Sequence, residues 1–239
     1  MSEQVRQMFA KVSPKYDLMN DILSFGIHHL WRAITVERAN IIQPVKVLDC
    51  ATGTGDLAIA FSKEITKKSI KYKFNIKECE IIATDFCPEM FLFAIPKAKD
   101  LLLPIRFEFA DVMNLQYPDK YFDISSISFG IRNVDDPQIG VAELARVVKS
   151  GGKVMILEFG QPSGWISKPY NFYSKKVMPF LGKLIAKNPS AYTYLPNTAA
   201  KFPSGEKFVE IMKSTKKFKS IEYYPLSFGI AYLYIGIVE

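Results

Sequence analysis

Histidine, tryptophan and cysteine are scarce in this chain: two, two and three residues among 239. The cysteines, Cys50, Cys79 and Cys87, form no C-x-x-C pair, and only His28 and His29 remain to complete a metal site. A structural zinc is therefore not expected, and no metal is assigned. The cysteines read instead as free, mostly buried thiols of a reducing compartment. Long apolar runs are missing too: none approaches the ~20 residues of a membrane span. The N-terminal stretch MSEQVRQMFAKV also lacks the apolar core of a secretory signal. A cytoplasmic protein is expected.

Apolar residues make up 49% of the chain and charged residues 23%, which excludes disordered and fibrous classes. Residues 1–239 fit one α/β domain able to bury a sizeable core. The formal net charge of +7 is compatible with nucleic acid, an anionic membrane surface or an acidic substrate, and does not choose among them. Six lysines fall between Lys63 and Lys77, where apolar periodicity is weak, and the segment reads as a solvated loop face.

Periodicity supplies the architecture. Residues 1–42 read as helical and partly amphipathic, broken around Ser24 to Gly26. Short apolar runs follow at KVLDC (46–50), EIIATD (80–85), IRFEFAD (105–111), YFDISSISF (121–129) and KVMILEF (153–159), each a strand candidate. Helical segments lie between them, opening at Asp56, at Pro88 and Glu89, and after Pro137. Pro96 should kink or end the second of these, and Gly151 and Gly152 should stop the third. Such alternation implies a parallel sheet covered by helices on both faces. IEYYPL (221–226) and AYLYIGIV (231–238), separated by a short link, predict a hairpin that adds an antiparallel strand. The aromatic and proline-rich residues 160–203 are too many for a structureless loop, and a helical cap is expected there.

The segment LDCATGTGDLA (48–58) carries the first chemical signal. Gly53 and Gly55 let the backbone approach a ligand, but G-T-G-D-L-A also satisfies a dinucleotide fingerprint. Charge separates the two readings. A pyrophosphate beside Asp49 and Asp56 would face like charges, costing several kcal/mol at ~4 Å and an effective dielectric of about 20. S-adenosyl-L-methionine brings an ammonium and a sulfonium instead. Asp85, ending the second strand, is placed for the ribose hydroxyls, with a helix cap as the plain alternative. Asp111 and the Val112 amide are placed for the adenine, with an ordinary turn aspartate as the alternative.

At this point the chain resembles the ubiquinone/menaquinone biosynthesis C-methyltransferases over essentially its full length. KYDLMNDILSFGIHHLWR (15–32) is similar to one signature of that family, ISFGIRNVDDPQIGVAELARVVKSGGKVMILEF (127–159) to a second, and AYTYLPNTAAKFPSGEKF (191–208) to a third segment. The resemblance implies a class I, Rossmann-like methyltransferase: a mostly parallel seven-stranded sheet, helices on both faces and an antiparallel C-terminal strand. Residues 1–42 would form a lid and 160–203 the acceptor cap. Thr54, Ser128, Asp85, Asp111 and Val112 would join Asp49, Gly53 and Gly55 at the donor, S-adenosyl-L-methionine. Tyr16, Arg132 and Asn133 would face the acceptor, a prenylated quinol, with demethylmenaquinol preferred over a ubiquinone precursor. Arg132 would favour the phenolate while Tyr16 and Asn133 orient the ring. Asn197, Thr198 and Ser150 depart from the family pattern.

Since the acceptor that the resemblance implies is a lipid, peripheral contact with the inner face of the cytoplasmic membrane is expected; a homodimer is left open. The competing readings are methylation of another phenol or sterol, a nucleic-acid methyltransferase, and a non-catalytic donor-binding subunit. No N/D-P-P-Y tetrapeptide supports the second, so no nucleic-acid partner is expected.

Overall fold

The computed structural model describes residues 3–182 and 189–239. Three helices come first: α1 (Glu3–Val12), α2 (Tyr16–Ser24) and α3 (Ile27–Arg38). The break expected near Ser24 is a left-handed pair, Phe25 at φ 52° and Gly26 at φ 73°, which folds α3 back on α2. Then strands and helices alternate: β1 (Lys46–Cys50), α4 (Asp56–Tyr72), β2 (Glu80–Asp85), α5 (Phe91–Ala98), β3 (Ile105–Phe109), β4 (Phe122–Ser128), α6 (Pro137–Arg146) and β5 (Val148–Phe159). The expected cap contributes α7 (Ser167–Phe172), α8 (Met178–Leu181) and α9 (Pro189–Lys201); its residues 183–188 lie outside the described residues. Helix α10 (Glu206–Ser214) and the hairpin β6 (Phe218–Leu226) and β7 (Ala231–Val238) close the chain.

One seven-stranded sheet results, in the order β3-β2-β1-β4-β5-β7-β6. The first five pair in parallel, and β7 enters antiparallel to β5 and β6. The strands between the edges are buried on both faces, so they read as continuous apolar runs whose alternate residues serve two cores. Val47, Ile81, Met155 and Leu157 pack with Phe61 and Ile65 of α4 and Trp31 of α3. Leu48, Ile82, Val154 and Ile156 pack with Leu144 of α6 and Phe208 and Met212 of α10. A third cluster joins the N-terminal helices to the cap through Val12, Met19, Leu23 and Met178, with Phe9, Tyr16 and Tyr173 against it.

Two expectations are corrected. The lysine-rich segment is not a loop as far as Tyr72: Leu57, Phe61 and Ile65 form a buried stripe at four-residue spacing, and Glu64 pairs with Lys68 at 3.4 Å. Left-handed Lys73 (φ 56°) ends that helix. Nor do the two glycines divide helix from strand, because α6 ends at Arg146 and β5 already includes them. They sit at a register shift against β4, where a Cβ on Gly152 would lie 2.6 Å from the Asp123 carbonyl. Pro96 behaves as expected, with α5 ending two residues later.

Candidate active site

The turn after β1 carries three left-handed residues in five: Ala51 (φ 49°), Gly53 (φ 58°) and Gly55 (φ 83°). Space as well as φ demands glycine at 55, where a Cβ would meet Ala94 Cβ at 3.2 Å and the Phe107 ring at 3.4 Å. Asp49 holds the turn from beneath, accepting from Thr52 Oγ1 and Ser126 Oγ, each at 2.7 Å. Asp85 holds it from the side, accepting from the Gly53 amide at 2.7 Å and the Cys87 amide at 2.8 Å. Burial pushes both carboxyls up to about 6, the hydrogen bonds opposing it.

Over the C-terminal ends of β1, β2 and β4 lies a chamber of 70 Å³. Its wall brings together Gly53, Asp85, Asp111, Val112 and Ser128 with Asn133 and Tyr16. The Ser128 hydroxyl is buried there with no hydrogen-bond partner among the described residues. Asp111 spends one oxygen on the Met113 amide at 2.9 Å, the turn geometry weighed as its alternative. Against the sequence expectation, Asp49, Thr54 and Gly55 do not reach this wall. Thr54 instead donates to Asp17 Oδ1 at 2.6 Å, tying α2 to the turn. Asp56 likewise offers no free charge, since Arg32 lies at 3.2 Å and Lys97 bridges it to Asp17. The negative groups left at the chamber are Asp85 and Asp111.

A second chamber of 650 Å³ lies between the N-terminal helices and the cap. Leu23, Trp31, Phe159, Tyr170, Tyr173 and Met178 are among its mostly apolar walls. Phe9, Tyr16 and Phe129 face both chambers and form the partition. Phe129 is itself strained, a non-glycine residue at φ 56°, and its ring lies 4.3 Å from that of Phe159. Burial raises the Tyr16 hydroxyl above its ordinary range, so it stays protonated.

Arg132 borders the larger chamber, but its charge is already matched. Nη1 lies 2.8 Å from Glu158 Oε1 and donates to the Phe129 carbonyl, and the pair is buried, 4% and 1% exposed. A guanidinium held this way shares its charge with Glu158 instead of standing free beside the chamber. Its Nε, buried and without a partner among the described residues, remains as a donor. Asn133 departs too: it lines the smaller chamber and accepts from the Tyr194 hydroxyl of α9 at 3.1 Å. Sequence reasoning missed Glu158, the one charge closing the apolar run of β5, and Asp17, the neighbour of Tyr16 in the first signature.

The sheet order, the glycine turn and the chamber above it define a class of protein, and solved structures agree. An S-adenosylmethionine-dependent methyltransferase from Thermotoga maritima superposes with a TM-score of 0.64 at 17% identity, covering 98% of this chain and 99% of that one. This is the class I methyltransferase fold. The chain belongs to the ubiE/COQ5 methyltransferase family, which it matches over residues 1–238. It is 46% identical to the ubiquinone/menaquinone biosynthesis C-methyltransferase UbiE of Bdellovibrio bacteriovorus, over 99% of this chain and 97% of that protein. It is 39% identical to the demethylmenaquinone methyltransferase of Deinococcus radiodurans, over 98% of this chain and 92% of that protein.

Proposed function

We propose that this enzyme transfers a methyl group from S-adenosyl-L-methionine to the ring carbon of demethylmenaquinol. The observation that carries the reading is a narrow chamber with two carboxylates and a buried hydroxyl in its wall, separated by one aromatic partition from a large apolar one. A charged donor and a greasy acceptor need this division, with reacting atoms meeting at the partition.

The residues fit the donor. The orphaned Ser128 hydroxyl, the Asp85 carboxylate and the Asp111 turn offer polar atoms to its hydroxyl and amino groups. When bound, S-adenosyl-L-methionine supplies a methyl cation equivalent, its sulfur keeping the bond electrons. Phe9, Tyr16 and Phe129 close over the reacting centre and exclude water. Arg132 Nε donates to a ring oxygen, Tyr16 orients the ring, and Asn133 couples the donor chamber to the cap through Tyr194. The ring carbon gains the methyl and gives up its proton to a bound water, and S-adenosyl-L-homocysteine is the leaving group.

At 70 Å³ the donor chamber is tighter than the ~300 Å³ or more of small-molecule sites. Residues 1–42 therefore act as a lid that lifts from Gly53, where a Cβ would stand 4.0 Å from the Tyr16 ring. Residues 160–203 form the acceptor cap of the same domain.

No helix among the described residues is long and apolar enough to cross a membrane. Phe25 (83%), which lines the larger chamber, and Trp165 (76%), Phe172 (66%) and Phe228 (69%), each next in sequence to a residue that lines it, are exposed, as are Lys168, Lys175 and Lys176. That rim docks reversibly on the inner face of the cytoplasmic membrane, the source of the prenyl substrate.

Labelled donor incubated with reduced demethylmenaquinone tests the function. Label in methylated menaquinol is expected, and label only in a ubiquinone precursor transfers the assignment. No lipid label with either acceptor overturns it.

A further inference from the structure

Three side chains unused by methyl transfer converge beside the acceptor chamber, which one of them, His28, lines. Asp21 in α2 and His28 and His29 in the first turn of α3 each bring a ligating atom within 4.8 Å of the others. The left-handed turn at Phe25 and Gly26 makes this possible by setting the start of α3 against the end of α2. Both imidazoles turn Nε2 toward one atom, Asp21 Oδ1, at 3.5 Å from His28 and 2.7 Å from His29.

Proton bookkeeping decides what His28 presents. Ser24 Oγ donates its single proton to the Asn20 carbonyl at 2.6 Å. Its 2.5 Å contact with His28 Nδ1 is then a bond in which the ring donates. The proton of neutral His28 therefore sits on Nδ1, and Nε2 carries a lone pair facing a carboxylate oxygen. Two acceptors oppose each other with no hydrogen between them.

We propose that Asp21, His28 and His29 bind one divalent transition-metal ion of the zinc class through the Asp21 carboxylate and the Nε2 atom of each ring. Two imidazoles and one carboxylate suit such an ion, whereas calcium and magnesium prefer all-oxygen shells. Three protein ligands leave a fourth tetrahedral position for water. Ser24 is the outer partner that fixes the His28 tautomer, as ligating histidines usually require. His29 exchanges its hydrogen bond to Asp21 for the ion, moving its own proton to Nδ1. The side chains of Asp21 (50% exposed) and His29 (60%) admit the ion from solvent, while His28 lines the acceptor chamber. A bound ion thus clamps α2 to α3 at the entrance.

Calorimetric titration of the chelator-stripped full chain with zinc tests the site, with cobalt as a spectroscopic probe. One ion per chain and a visible cobalt band of tetrahedral type are expected. His29→Asn and Asp21→Asn change exposed groups and should each remove saturable binding while circular dichroism and donor affinity stay unchanged. Ser24→Ala should weaken the ion by roughly 10-fold through loss of the tautomer lock. No zinc binding by the wild type, or unchanged binding by both His29→Asn and Asp21→Asn, overturns the proposal; the second result places the ion elsewhere, as on the cysteines.

Discussion

The two chambers are held by different means. The smaller stands on sheet ends, where carboxylates and backbone amides fix the turn at hydrogen-bond distance. The larger is enclosed by helices that meet through rings and methyl groups, with few polar ties such as Tyr173 to the Leu23 carbonyl at 2.9 Å. Polar recognition of one charged donor calls for the first kind of wall. The flexible prenyl chain of the proposed acceptor would be served by the second, whose apolar surfaces slide without leaving a donor or acceptor unmet.

Arg132 stands where the two constructions join, so the largest effect is expected there. Arg132→Ala leaves Glu158 buried and unmatched, and a stability loss of about 3–5 kcal/mol is expected in denaturant titration. Pairing Arg132→Met with Glu158→Gln should recover most of that stability but not turnover, if the proposed bond from Arg132 Nε to the acceptor oxygen is made. A double variant with normal kcat would reduce the arginine to a structural strut.

Asp85 sharpens the donor side. Asp85→Asn should weaken S-adenosyl-L-methionine by about 1–3 kcal/mol in calorimetry with an unchanged acceptor chamber. Its carboxyl, raised to about 6, also sets a pH dependence. Donor affinity should rise from pH 5 to 7 and level off above, and Asp85→Asn should abolish that slope. Stability runs the other way: the folded chain holds protons on Asp49 and Asp85 that the unfolded chain releases near pH 4. Their contribution is full below that pH and is lost as pH rises through about 6.

Thr54→Val tests the tie between α2 and the turn. Loss of its bond to Asp17 should cost about 1 kcal/mol and speed donor entry in stopped-flow measurements. The smallest effects belong to the rim, where replacing Lys168, Lys175 or Lys176 by Gln should weaken binding to anionic vesicles by about 1 kcal/mol each. Phe25→Ser with Trp165→Ser should instead reduce binding at high salt, because the apolar part of the contact is unscreened.

Local signals carried much of this architecture. The apolar runs, the break at Gly26 and the paired C-terminal strands are written in neighbouring residues, and the glycine turn announces itself by spacing. Asp49 was harder to place because β1 is buried on both faces, so alternation does not say which side a polar residue takes. Glu158 lies 26 positions from Arg132, and Asp17 lies 37 from Thr54. Such pairs are set by tertiary packing, and sequence signatures gave Arg132 a role without its partner. The metal candidate is hidden for a related reason: Asp21 lies in α2 and the histidines in α3, and only the left-handed turn at Phe25 and Gly26 brings them together.

The partition of Phe9, Tyr16 and Phe129 has a consequence for how the substrates know of each other. A wall with a ligand on either side transmits any displacement to the opposite occupant. If donor binding moves Tyr16 and thereby changes acceptor affinity by some factor, acceptor binding must change donor affinity by the same factor. The two chambers then act as coupled equilibria read through one aromatic hinge, and Tyr16→Ala should uncouple them even where each ligand still binds.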